Sequence, residues 1–374
     1  MAGIYIHIPF CKKACHYCDF HFSTNRKNLP EMVEMIKKEI VLRKNYLNSD
    51  QSIETIYFGG GTPSILPIPA LEGILETVHK YYSLDLKELT VEANPDDLDG
   101  GTVKKYVDIG IDRLSIGVQS FHNDILKFYN RSHNAEQSLN VIDLVKDGGI
   151  KKLSIDLIFG FPYKDHSLWE RDLELAIEKD PGHISSYGLT IESKTALGNW
   201  TEKGSFSPAS EDFMAEEFEM LQKSMKNSGY IQYEISNFGK EGMFGLHNRN
   251  YWRGIPYLGI GPGAHSFDGK NRGHNVAHNP KYIHALSKNE LAFHKDFLSP
   301  TDRINEYLLT ALRTIWGIDI DHLRALYQLD IMTLKQKEIA QLAEGGMISC
   351  SSKAIVLTEK GKLLADYIAS RIFV

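Results

Sequence analysis

Short runs rich in β-branched residues alternate with amphipathic stretches through the first half of the chain, and this alternation constrains the fold more than any other feature. The β-type runs cover 3–8, 55–59, 88–93, 113–118, 153–159 and 184–190. Between them, 29–47, 71–82, 135–146 and 167–179 carry apolar residues three and four apart, the period of a helix with one buried face. Strands and helices in turn make βα units, and such units build a parallel sheet crossed over by helices. The predicted fold class is α/β, a partial (β/α)6 barrel with its function in the loops that follow the strands.

From about residue 193 the alternation stops. A long helix is predicted over 210–228, then a loop-rich segment over 230–274 with many glycines among aromatic residues. An unstructured stretch of that length inside a compact protein is functional or mobile. From residue 299 the pattern reads as three helices, a β-pair around 347–357 and a last helix, the form of a winged-helix-like module. The predicted division is 1–195 for the barrel, 196–298 for its extension and 299–374 for the module.

At 374 residues the chain can bury a core without disulfides. No apolar run approaches the ~20 residues of a membrane-spanning helix. The first residues, MAGIYIHIPF, show neither a basic flank nor a cleavage site, which predicts a cytoplasmic protein. Forty-two Lys and Arg against 48 Asp and Glu give a formal charge of -6, so a phosphate-backbone footprint is not expected, and nucleic acid is not an expected partner. The C-terminal module lacks a basic cluster and reads as a packing or docking unit.

Three of the four cysteines, Cys11, Cys15 and Cys18, fall within eight residues directly after the first strand. Spacings of four and three let one loop converge three thiolates on a single centre, which in a reducing compartment means metal or redox chemistry. A structural zinc would require a fourth ligand, for which His16, His21 and Asp19 are the local candidates. An iron-sulfur cluster can instead leave one iron open for a ligand. The spacing admits both. The second strand ends in YFGGGTPS, where Gly59 to Gly61 allow close backbone approach by a ligand or make a tight turn, without matching the Walker or dinucleotide-binding patterns. Glu92 and Asp156 end or interrupt apolar strands, and a buried carboxylate there needs a partner.

Taken together and in order, YIHIPFCKKACHYCDF, YFGGGTPS, EANPDDL, RLSIGVQSF, RSH and DLIFGFP closely resemble the radical S-adenosylmethionine (SAM) proteins, within the family related to oxygen-independent coproporphyrinogen III oxidase. The resemblance runs over essentially the whole chain. It implies a radical-SAM barrel carrying a 4Fe-4S cluster on Cys11, Cys15 and Cys18, with SAM chelating the open iron. It places Gly60, Gly61 and Thr62 along the methionine end of SAM, and further SAM contacts at Tyr5, Glu92, Gln119, Arg131 and Asp156. Acidic groups at strand ends suit ribose hydroxyls, and an arginine suits a carboxylate.

Two departures separate the chain from coproporphyrinogen dehydrogenase itself. The further cysteine two residues after the third ligand is Phe20 here, and the chain begins at its first strand. Both point to the sister branch of heme chaperones. HNRNYW, residues 247–252, matches the HNxxYW pattern associated with heme in that branch. The match makes His247 the candidate axial ligand, Asn248 an orienting hydrogen-bonder, and Tyr251 and Trp252 packing surface for a porphyrin. His265, among Gly259, Gly261 and Gly263, reads as structural, and Tyr57 and Tyr187 as core or cavity wall. The expected protein holds a cluster, SAM and heme and passes heme to hemoproteins, some of them membrane-bound. The resemblance further implies homodimerisation and peripheral association with the inner membrane. The alternatives are an active radical-SAM enzyme acting on a porphyrin or other small molecule, and a zinc-stabilised structural protein.

Overall fold

The computed structural model describes residues 1–48 and 50–374. Six strands, β1 (Ala2–Ile8), β2 (Ile53–Gly60), β3 (Leu84–Ala93), β4 (Arg113–Gln119), β5 (Lys152–Phe159) and β6 (Gly182–Gly188), lie parallel and in chain order. They are linked through α1 (Leu29–Leu42), α2 (Ile68–Tyr81), α3 (Gly100–Asp108), α4 (Asn123–Phe128), α5 (Ala135–Asp147) and α6 (Ser167–Lys179). Helix α5 begins at a capping box of Asn134 and Gln137, satisfying two end groups at once. Helix α1 stops short of the predicted residue 47 because Arg43 turns inward, donating to Glu39 and to the Gly259 carbonyl. Helices α3 and α4 were not expected: α3 starts on two glycines, and α4, at six residues, is too short to show a period.

Along these strands the side chains alternate strictly. Ile4, Ile6, Ile56, Phe58, Leu114, Ile116, Ile155 and Leu157 are fully buried under the helices. The residues between them, Tyr5, His7, Tyr57, Glu92, Ser115, Asp156 and Tyr187, point to the other face, the barrel lumen. Period two thus separates an apolar outer layer from a polar interior.

The chain continues through α7 (Ala196–Glu202) and α8 (Glu211–Asn227) into the segment predicted to be loop-rich, which is folded. It contains β7 (Ile231–Glu234), β8 (Asn237–Gly239), α9 (Leu246–Trp252), β9 (Tyr257–Ile260), β10 (His265–Phe267) and β11 (Arg272–Asn275), followed by α10 (Asn279–Ser287) and β12 (Phe293–Asp296). Strands of three or four residues between glycines are too short to display alternation, so sheet pairing alone defines them. They extend both edges: β8 and β7 beyond β6, and β9 to β12 beyond β1, with β9 parallel to β1. The sheet has 12 strands and stays open.

Helix α11 (Pro300–Leu312), β13 (Ile318–Asp319), α12 (Ile320–Tyr327), α13 (Ile331–Leu334), α14 (Gln336–Glu344), β14 (Ile348–Cys350), β15 (Ala354–Leu357), α15 (Glu359–Lys362) and α16 (Ala365–Ile372) complete the chain. The order helix, strand, helices, strand, strand is that of a winged helix, and the sheet order is β13-β15-β14. Its own core includes Leu308, Ile320, Ile355 and Ile368. Arg313 ties it to the barrel, donating to Glu234 at 3.0 Å and lying 4.9 Å from the Trp252 ring centre. Among the described residues no helix is long and apolar enough to cross a membrane.

Candidate cofactor site at the open end of the barrel

The loop after β1 is closed at its base by backbone bonds from Ser23 to Pro9, 2.9 Å, and from Cys11 to Ser23, 3.1 Å. Its tip is held from across the barrel. Asn130 donates its side-chain amide to the Ala14 carbonyl at 2.8 Å, the His16 amide reaches Tyr129, and Lys12 pairs with Asp96 and Asp97. So positioned, Cys11, Cys15 and Cys18 line a cavity of about 500 Å³ at the C-terminal ends of the strands. Gly60, Gly61, Thr62, Glu92, Gln119, Arg131 and Asp156 line the same cavity, and Tyr187 closes one side.

The local candidates for a fourth zinc ligand do not all remain free. His16 Nδ1 is bonded to the Phe128 carbonyl and His21 Nε2 to Asn279 Oδ1, both at 2.7 Å. Among the described residues no three His, Cys, Asp or Glu side chains surround one metal-ion position. Three cysteine thiols on one loop lining one cavity are the donor set of a four-iron cluster that leaves one iron open for a ligand. Burial pushes the Cys18 thiol up to about 12, and the Cys11 thiol is raised for the same reason. The positive charge of a bound metal centre would favour the thiolate forms of Cys11 and Cys18.

Gly60, at φ 108°, donates its amide to Glu92 Oε2 at 3.1 Å, while Tyr57 donates to Oε1 at 2.7 Å. At Gly61 a Cβ would stand 2.6 Å from the Phe10 carbonyl and 2.8 Å from that of Ile8. The glycine is thus required by the backbone leading into the cysteine loop, and a larger residue would displace that loop as well as any ligand. Arg131 binds Asn94 Oδ1 at 2.6 Å and the Gly117 carbonyl at 2.7 Å, and points Nη1 at Cys15 Sγ, 3.3 Å away. Its Nε is buried without a partner. Gln119 sits at φ 68° where the β4–β5 register breaks, which turns its side chain over the cavity. Asn94, Tyr17 and Asn130 also belong to the wall. Asn94 lies within the EANPDDL motif, Tyr17 within the cysteine motif and Asn130 directly before RSH; none of the three was singled out, because their place in the wall depends on how separate loops meet.

Asp156 is buried next to Glu92, and burial first, then that neighbouring charge, raises its carboxyl to about 7. A carboxyl raised in the folded state binds more protons than in the unfolded chain, so stability falls as pH rises from about 4 to about 7 and is flat above. Asp156→Asn should therefore stabilise the cofactor-free protein at pH 8, on the order of a few kcal/mol, and have little effect at pH 4. Urea denaturation at the two pH values checks this, and equal effects at both would contradict it.

Five predicted site residues lie elsewhere. Tyr5 is one layer deeper in the lumen, stacked on Tyr57 with ring centres 6.0 Å apart and its hydroxyl 3.2 Å from His7 Nδ1. His247, Asn248, Tyr251 and Trp252 ride on α9, which covers the opposite, N-terminal mouth of the barrel, roughly 20 Å away along β1. There the His247 amide donates to Glu88, its Nδ1 is 2.8 Å from the Thr55 hydroxyl, and its ring lies 5.2 Å from that of Tyr57. His247 thus faces into the barrel floor, whereas Tyr251 is exposed.

An open parallel barrel with three cysteines on its first loop and a glycine turn on its second defines a radical SAM protein. The radical SAM superfamily model matches residues 5–176, and the HemN C-terminal domain model matches residues 298–364. The heme chaperone HemW of Bacillus subtilis (strain 168) is 33% identical over 98% of this chain and 97% of its own length. The HemW of Lactococcus lactis subsp. lactis (strain IL1403) is 31% identical over 96% and 93%. The chain belongs to the HemW family. Among solved structures, coproporphyrinogen III oxidase (HemN) from Escherichia coli superposes with a TM-score of 0.86 over 100% of this chain and 90% of that one, at 21% identity, which establishes the shared fold.

Proposed function

We propose that this protein is a cytoplasmic heme chaperone that holds a 4Fe-4S cluster, SAM and heme, and delivers heme to hemoproteins. The observation that carries the reading is the end-to-end relation to proteins named heme chaperones. It is supported by Phe20, 69% exposed on the cavity rim where the dehydrogenase pattern has a further cysteine. Cys11, Cys15 and Cys18 would hold the cluster, which supplies an open iron and a transferable electron. Arg131, a guanidinium that stays charged at any working pH, stands ready to pair with the SAM carboxylate. Gly60, Gly61 and Thr62 leave room for the methionine backbone, and Gln119 offers an amide to the same ligand. Glu92 and Asp156 are carboxyls on the same wall that suit ribose hydroxyls. Homodimerisation and peripheral contact with the inner membrane form part of the same reading and rest on the resemblance.

The test is anaerobic reconstitution followed by measurement of iron, sulfide and heme per chain. The expected result is about four iron and four sulfide, with heme bound and coproporphyrinogen III unchanged in the presence of SAM and a reductant. Conversion of coproporphyrinogen III to protoporphyrinogen IX would replace this reading with the enzyme, and zinc in place of iron would replace it with the structural protein.

A further inference from the structure

The wing formed by β9 to β12 has one covered face and one bare face. Ser266, Gly273 and Asn275 are buried on the α1 side, and Phe293 packs on the Arg43 guanidinium, 4.0 Å from its ring centre. The registers Gly3↔Tyr257, Tyr257↔Phe267, Phe267↔Arg272 and Arg272↔Asp296 carry the lumen face of β1 across all four strands. On that bare face His265, His274 and His294 are direct cross-strand partners. Their ring centres are 5.6 and 5.3 Å apart. His265, expected to be a packing residue, is exposed.

This row is built for a ligand in three ways. Asp296 stands 3.4 Å from His274 Nδ1 and 3.1 Å from His294 Nε2, one carboxylate between two imidazoles that leaves His274 Nε2 free of it. Partial desolvation at the sheet surface, with His274 and Arg272 adding to it, lowers the pKa of His265 at the inner end of the row. One row along, Arg272 gives its Nε–H to Glu306 and lies over the rings of Phe267 and Tyr251, 5.4 and 5.9 Å from their centres. Its fork also reaches the Tyr257 hydroxyl, and the N–H groups left over can take a carboxylate. Imidazoles spanning two strand spacings, about 10 Å, beside aromatic rings and a guanidinium, match an iron-bearing planar macrocycle with acidic side arms. A hydrated divalent ion would have no use for the aromatic row. Tyr251 belongs to the HNxxYW segment, so the segment reaches this face through its tyrosine while its histidine faces the barrel floor.

We infer that heme docks on the bare face of β10 to β12, parallel to the sheet, with His274 as the axial ligand and Arg272 taking a propionate. The inference rests on the heme-binding reading above and locates its site. Ferric protoporphyrin IX is titrated into the full-length protein and into His274→Ala, His247→Ala and the triple His265→Ala, His274→Ala, His294→Ala variant. All three row residues are surface side chains, so circular dichroism should show an unchanged fold. The expected result is a shifted Soret band and about tenfold or weaker binding for His274→Ala, a larger loss in the triple variant, and neither effect in His247→Ala. Free imidazole should restore the spectrum of a His274→Gly variant. A triple variant that keeps spectrum and affinity, or loss confined to His247→Ala, overturns the site. Absence of heme binding by the unaltered protein overturns the chaperone reading itself.

Discussion

Cys15→Ser is expected to remove iron and sulfide together, taking the reconstituted protein from about four of each per chain to nearly none. Cys15 is the central thiol of the loop, its carbonyl accepts from the Cys18 amide at 3.3 Å, and Arg131 approaches its sulfur at 3.3 Å. A serine hydroxyl keeps the shape but is a poor soft ligand, and two thiols do not hold the cube. Cys15 is only half-buried, so the cofactor-free variant should unfold within about 0.5 kcal/mol of the parent. Iron and sulfide analysis with urea denaturation separates loss of a ligand from loss of fold. Iron retained at parental levels would defeat the assignment.

Arg113→Ala is expected to cost about 3–5 kcal/mol of stability, the largest effect of any single substitution considered. Its guanidinium is fully enclosed, donating to Glu88 and Ser154 at 2.9 Å and to the carbonyls of Met243 and Phe244 at 2.8 and 2.9 Å. Truncation leaves the Glu88 carboxylate buried with only Lys152 near it, 3.6 Å away, and strips two carbonyls of their donor. Because Glu88 also receives the His247 amide, the lead-in to α9 should loosen and expose residues 243–252 to protease. Against the pull of burial, Arg113 and the His247 amide hold the Glu88 carboxyl below its ordinary value. A depressed carboxyl contributes stability above its unfolded value, and that contribution is lost as pH falls through the folded one. The difference between parent and variant should therefore narrow below about pH 4. A constant difference from pH 7 down to pH 3 would show that packing, not charge, sets the cost.

The barrel was legible because six β-branched runs take turns with amphipathic stretches. The apolar and β-branched runs 3–8, 55–59 and 153–159 fall inside β1, β2 and β5, and 167–179 was predicted to the residue. The cluster loop was equally plain, since Cys11, Cys15 and Cys18 lie within one turn of chain and need no tertiary contact to be neighbours. The edge strands were not. Strands β7 to β11 have three or four residues each, and their glycines read as loop until a neighbouring strand supplies the hydrogen bonds.

Local order in the chain therefore determined the α/β class, the three-thiol loop and the glycine turn, all of which depend on residues close in sequence. Only the tertiary structure decided where separate segments meet. It brought Glu92, Gln119, Arg131 and Asp156 to one cavity from four different strand ends and loops. It turned His247 inward at the far mouth, because Glu88 and Thr55 bond it there. It set His265, His274 and His294 side by side on one bare face. Residues 9 to 20 apart in sequence become neighbours only through antiparallel pairing, and the register of short strands is set by the sheet they join rather than by their own residues.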